Sequence, residues 1–236
     1  MIPLVPIITI FICIFSGWSS YKIYQSWKVS KEKKLKYFYK FLFFLTITFS
    51  LSIFPPLIKN LYIIQGLFYL TDFLTFICAA YFLLIILDFL NLEKFQKTIF
   101  WLLIGVGAIL MIVYVNFFER ALIYYYQFRN LQFVGWAINL PPILRVGPMA
   151  VFSILAFSIF IFSLRKSLQI KESYLKYRGF FLSFSIFLLT LIITTYFILG
   201  SVQPTSFIKD ILHLFFCSAA VIAILLAIYY KREKAL

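Results

Sequence analysis

Histidine occurs once in this 236-residue sequence, cysteine and methionine three times each, and glycine and proline eight times each. Each shortage excludes a kind of chemistry. A single histidine, His213, cannot supply the paired axial ligands of a multi-haem membrane cytochrome. Cys13, Cys78 and Cys217 lie far apart inside apolar runs with no Cys-x-x-Cys, so each reads as a small hydrophobe, and neither a disulfide nor a zinc site is expected. The scattered glycines form no phosphate-cradling loop, and no Ser/His/Asp constellation accompanies them. Retinal chemistry needs a lysine in the middle of the last apolar segment, where the sole candidate, Lys209, stands at the edge. An enzyme is therefore not expected, nor a cofactor. Acidic residues are scarce as well: eight against 22 lysines and arginines, a formal charge of +14.

What the chain has instead is apolar surface. Hydrophobic residues make up 64% of it and charged residues 13%, with a mean hydropathy of +0.99. Soluble domains run at about 45–50% apolar and about 25% charged, so the composition is that of an all-α integral membrane protein. Its length allows several spans of about 20 residues each but no sizeable soluble domain beside them. In such a chain positive charge records topology before it records nucleic acid, because lysine and arginine are retained on the cytoplasmic side of short loops.

Seven apolar segments can be drawn: Pro3–Tyr21, Phe38–Ile58, Ile64–Leu87, Thr98–Phe117, Val146–Leu164, Gly179–Gly200 and Phe207–Tyr229. Lipid satisfies no open backbone groups and nothing alternates like a barrel strand, so each is predicted to be a spanning helix. The first lacks the positively charged start of a secretory signal and reads as a retained span. The connections sort by charge. Lys22 to Lys40, Glu93 to Lys97, Arg165 to Arg178 and Lys231 to Lys234 fall on one side, and the other keeps only Lys59, Arg120, Arg129, Arg145 and Lys209. An odd number of spans then puts the N-terminus outside and the C-terminus in the cytoplasm, in a prokaryotic cytoplasmic membrane. On the outer side, Pro55-Pro56 should end the second helix in a tight turn. The longer connection from Phe118 to Arg145 mixes Tyr124-Tyr125-Tyr126, Phe128, Phe133 and Trp136 with Glu119, Arg120 and Arg129, which predicts a helix lying in the interface, an aromatic anchor or a lid.

Sliding the sequence on itself by 140 positions sets Lys31-Glu32 on Lys171-Glu172, Leu35-Lys36-Tyr37 on Leu175-Lys176-Tyr177, Ala79-Ala80 on Ala219-Ala220 and Glu93-Lys94 on Glu233-Lys234, without a gap. Fixed-spacing self-similarity is the mark of an internal repeat. It predicts a first triple-helix unit over 1–92, a linker helix and outer loop over 93–140 and a second triple-helix unit over 141–236, in parallel orientation. This three-one-three plan with an outside N-terminus resembles that of the SWEET sugar transporters. The resemblance is one of topology over the whole chain. That family's prolines in the middle of the first, second, fifth and sixth helices have no counterpart here, so no site residue or substrate is carried over. The basic-loop pattern also looks like the seven-helix input modules of some bacterial sensor kinases.

Ionisable groups inside spans are costly and mark candidate sites. Asp72 lies in the third segment about two turns from its outer end, Asp88 at the inner end of the same segment, and Asp210 with His213 near the outer end of the seventh. The 140-residue shift sets Phe73 on His213, which places Asp72 and His213 at nearly equal depth, where a carboxylate and an imidazole could pair and titrate together. Arg145, Lys209 and Asp210 would close the same cluster at the outer rim. The expectation is a small-solute transporter or permeation protein using these residues, with a sensor module and a structural subunit of a membrane complex as the alternatives. Its partners would be the lipid bilayer, an unidentified small solute, a cytoplasmic protein on the basic loops and a second copy of the chain.

Overall fold

The computed structural model describes residues 4–58, 60–89, 91–116, 121–128, 131–138, 142–202 and 207–229. Along them run seven α-helices and one β-hairpin: α1 (Leu4–Ser30), α2 (Lys33–Ser52), α3 (Leu61–Phe89), α4 (Gln96–Asn116), β1 (Ala121–Phe128), β2 (Leu131–Ile138), α5 (Pro142–Leu168), α6 (Ser173–Val202) and α7 (Phe207–Tyr229). Short 3-10 turns cover Pro55–Leu57 and Glu93–Phe95. The chain divides into two compact units, Met1–Pro141 and Pro142–Leu236.

The seven helices stand on the seven apolar segments, and most outrun them. α1 continues nine residues past Tyr21 and α6 begins six before Gly179, because hydropathy reports where a helix leaves an apolar medium, whereas backbone hydrogen bonding continues through Lys, Ser and Gln, which tolerate a helix well enough. The ends have local causes. α2 stops at Ser52, just before Pro55 and Pro56. The Asn60 side-chain oxygen accepts hydrogen bonds from the Tyr62 and Ile63 N–H groups at 3.0 and 3.4 Å and so caps α3. At the other end of α3, the Leu92 and Asn91 N–H groups donate to Leu87 and Asp88 oxygens at 2.8 and 3.1 Å, with Asn91 at φ 57°. That is a Schellman closure with asparagine in its left-handed position.

The outer connection corrects the expectation of an interfacial helix. β1 and β2 pair antiparallel from Ala121↔Ile138 to Phe128↔Leu131, in a register that leaves two residues between the strands. The reason lies in composition. Ile123 is paired with Trp136, Tyr125 with Val134 and Tyr126 with Phe133, and β-branched and aromatic residues fit a pleated surface better than a helix. Apart from this hairpin the described fold is helical, with seven α-helices. Phe118, Glu119, Arg120 and Arg129 lie outside the described residues.

Consecutive helices pack on one another within each unit: α1 on α2, α2 on α3 and α3 on α4 in the first, α5 on α6 and α6 on α7 in the second. The seams are built from small polar residues. Ser16 and Thr46 hydroxyls meet at 2.9 Å, Ser20 donates to the Tyr39 carbonyl at 3.0 Å, and Ser163 meets Ser183 at 2.7 Å. Such residues let backbones approach closely where no aqueous hydrophobic effect drives helices together. Most also return a hydrogen bond to a carbonyl four residues back, as Thr46 does to Leu42 at 2.7 Å and Ser183 to Gly179 at 2.8 Å. Leu42, Ile64 and Ala80 are completely enclosed.

The outward surface is apolar. On α4, Trp101, Leu102, Ile109, Ile112 and Val115 are all about 60% exposed, the reverse of what a helix facing water presents. Among the described residues, two helical stretches, Leu61–Asp88 and Glu93–Val113, are long and apolar enough to cross a membrane. This supports membrane association.

Candidate functional site

Asp72 stands twelve residues beyond the Asn60 cap, about 18 Å along α3. Gln65, Tyr69, Asp72 and Phe76 follow the 4-3-4 spacing that aligns side chains on one face of a helix. That face turns toward α4, because the Phe76 side chain lies so close to Gly107 that a Cβ on the glycine would come within 2.9 Å of it. The face is polar toward the outer end, where the Gln65 amide donates to the Tyr69 hydroxyl at 3.0 Å, and apolar from Phe76 inward. Asp72 is where the two meet. Its Oδ2 is closed off from solvent and has no hydrogen-bond partner among the described residues. A carboxylate oxygen in that position forgoes both water and a donor, at a cost of several kcal/mol for an ionised group by the usual order of magnitude.

Asp88, sixteen residues further along the same helix, also has a buried Oδ2 with no hydrogen-bond partner among the described residues, but it lies beside a cation. It is 5% exposed and its Oδ2 lies 3.6 Å from the Lys34 ammonium at the start of α2. Around it the start of α2, the end of α3 and the start of α4 are tied by polar contacts. Lys33 meets Glu93 at 3.2 Å, the Tyr37 hydroxyl donates to the Gln96 side-chain oxygen at 3.4 Å, the Gln96 amide donates to the Leu84 carbonyl at 3.4 Å, and Lys40 donates to the Tyr81 hydroxyl at 3.3 Å. Desolvation works to lower the Lys33 pKa, but the hydrogen bond to Glu93 and the influence of Tyr37, Glu93 and Asp88 together outweigh it, so the ammonium sits above its usual range. In the second unit a different device does similar work: the Arg178 guanidinium at the start of α6 donates to the Ala227 carbonyl at 2.7 Å, in the last turn of α7.

This inner network was missed in the sequence, where Asp88 reads only as a boundary marker. The signal was there in Lys34, a cation in the basic run whose partner lies 54 positions away. Because Asp88 is buried and Lys34 is 63% exposed, Lys34→Gln should lower stability by about 1 kcal/mol, most of it from the carboxylate left alone. Lys34→Gln combined with Asp88→Asn should recover most of the loss, which thermal unfolding of the three proteins in detergent would read.

The remaining residues of the expected cluster fall on helices α5 and α7. The side chains of Arg145, Lys209, Asp210 and His213 lie outside the described residues, and so does the expected meeting of Asp72 with His213. Cys78 and Cys217 are buried and Cys13 half-buried, all three as free thiols. Among the described residues, no group of three His, Cys, Asp or Glu side chains is placed to hold a metal ion. No protein-family model matches the chain, and no curated protein shows significant similarity to it. Any function must be argued from the site itself.

Proposed function

We propose that the protein is a seven-span membrane transporter or permeation protein, N-terminus outside and C-terminus in the cytoplasm, that moves a small cationic or proton-linked solute past Asp72. The observation that carries this reading is the solvent-closed Oδ2 of Asp72, without a hydrogen-bond or ion-pair partner among the described residues, in a helix apolar enough to cross a membrane. The Asp88 Oδ2 likewise makes no hydrogen bond but has the Lys34 ammonium at 3.6 Å; a buried carboxylate with neither a donor nor a cation beside it among the described residues is the arrangement expected of a group whose partner arrives and leaves. The basic residues of the α1–α2 and α5–α6 connections support the orientation.

A parallel repeat of two triple-helix units, a recurrent transporter plan, belongs to the same proposal. Three features favour it. α2 begins at Lys33 and α6 at Ser173, 140 positions apart. The Lys36 N–H donates to the Glu32 oxygen at 3.2 Å and the Lys176 N–H to the Glu172 oxygen at 2.9 Å. Burial also follows the shift, in Leu42 with Leu182, Ala80 with Ala220 and Leu84 with Ile224.

The test is flux into proteoliposomes carrying a trapped pH-sensitive dye, with protons and a panel of radiolabelled amines, amino acids and sugars as probes. Wild-type protein should carry at least one of them above empty vesicles, Asp72→Asn should reduce that flux at least tenfold, and His213→Ala measures whether the imidazole shares the role. No flux for any probe overturns the transport reading; equal flux in Asp72→Asn removes Asp72 from it.

A further inference from the structure

The joint between α1 and α2 is built at some cost. α1 closes at Lys31, whose N–H donates to the Trp27 carbonyl at 2.8 Å with φ at 58°. A left-handed residue in that position is usually glycine, and any other side chain crowds the following carbonyl there. Here the residue is lysine. Its side chain reaches back so that its Nζ stands 5.3 Å from the centre of the Trp27 ring, and Lys36, in the first turns of α2, places its Nζ 5.9 Å from the same ring. The ring is held by neighbours: Trp27 lies 5.2 Å from Tyr39 and 5.8 Å from Tyr24, and those tyrosines lie 5.4 Å from each other. One turn and more toward the apolar part of α1, Lys22 sits over Trp18 at 5.8 Å.

The lysines of this joint fall into two sets. Lys33 and Lys34 are neutralised by Glu93 and Asp88, and Lys40 is bonded to Tyr81. Lys22, Lys28, Lys31 and Lys36 are exposed and have no carboxylate partner among the described residues. Glu32, the single acid between positions 22 and 40, makes no ion pair among them either. The result is a pad of four ammonium groups without a carboxylate partner among the described residues, spread over the last turns of α1 and the start of α2, two of them set over one aromatic ring and beside the exposed Trp18, Tyr21 and Tyr24 of α1.

We infer that this joint binds the headgroup phosphate of an anionic phospholipid. Tryptophan and tyrosine settle at the headgroup level of a bilayer, which puts the pad at the depth of lipid phosphate. Lysines beside a spanning helix attract anionic lipid through its headgroup charge. A lysine in the strained position, where glycine would be easier, fits a site that needs its charge there. The inference rests on the reading that the chain spans a membrane and not on transport.

The experiment measures retention of phosphatidylglycerol and phosphatidylcholine by the purified full-length protein in mild detergent, by native mass spectrometry. Phosphatidylglycerol should be retained at least tenfold more strongly than phosphatidylcholine, and Lys31→Gly with Lys36→Gln should remove about tenfold of that preference. Glycine relaxes the backbone at position 31, so the variant should unfold no earlier than wild type, and Lys97→Gln, on the same side but away from the pad, should behave as wild type. Equal retention of the two lipids, or an unchanged preference in the double variant, overturns the site. Displacement of the lipid by inorganic phosphate at equal headgroup concentration overturns its assignment to lipid. Absence of flux in the transport experiment leaves every one of these outcomes readable.

Discussion

Gly107→Ala will loosen α4 from α3 and lower stability by about 1–3 kcal/mol, the usual range for forcing extra volume into a packed seam. The added Cβ would stand 2.9 Å from both Cβ and Cγ of Phe76 and 3.1 Å from its Cδ2. Those first two atoms are close to the α3 backbone and cannot swing aside, and Phe76 is itself 4% exposed. The strain must therefore move a helix. α4 is the element that gives, since its main helical neighbour is α3 and most of its apolar stretch is uncovered. Gly105 supplies an internal control. A Cβ there meets nothing within 4 Å, so Gly105→Ala should be neutral or stabilising by up to about 1 kcal/mol through helix propensity. Thermal unfolding of the two variants in the same detergent decides the matter; equal midpoints would mean that the Phe76–Gly107 approach does not hold the helices. The consequence reaches the candidate site, because Phe76 is one turn from Asp72 on the same face. Opening this seam lets water reach the carboxylate.

Seven helices could be read from hydropathy because each apolar segment is long enough to need its backbone satisfied internally, and nothing tertiary competes with that demand. The end of α2 before Pro55-Pro56 and the bounds of α7, Phe207–Tyr229, were legible too, but most other ends were not, since Lys31, Asn60 and Asn91 act through single φ values and cap bonds that hydropathy ignores. The outer connection failed for a definite reason. Aromatic and charged residues without clear period favour an interfacial helix on composition, but Ile123, Tyr125, Val134 and Trp136 also pair well across strands, and a two-residue gap between equal runs of eight is a hairpin spacing. Asp72 was visible as a rare charge in an apolar run. That its Oδ2 has no cation beside it among the described residues, while Asp88 on the same helix has Lys34, depends on which helix faces which, and sequence spacing within one helix contains none of that.

The two aspartates of α3 should therefore respond to the same substitution with opposite sign. Asp88→Asn removes the charge that Lys34 approaches at 3.6 Å and should destabilise the protein by about 1 kcal/mol, discounted because Lys34 is largely exposed. Asp72→Asn keeps the shape of the side chain, breaks no hydrogen bond among the described residues and removes a carboxylate from an apolar helix. Insertion of aspartate at the centre of a spanning helix costs about 2.5–3.5 kcal/mol. Asparagine keeps part of that cost, so a gain of roughly 1–2 kcal/mol is the expected result. A stability gain coupled to loss of flux is the behaviour of a residue held for function against the interest of the fold. Unfolding midpoints of wild type, Asp72→Asn and Asp88→Asn at pH 7.5 in one detergent give the comparison directly. If Asp72→Asn unfolds as early as Asp88→Asn, the Asp72 carboxylate is a packing element with a donor of its own, and the transport proposal loses the observation on which it stands.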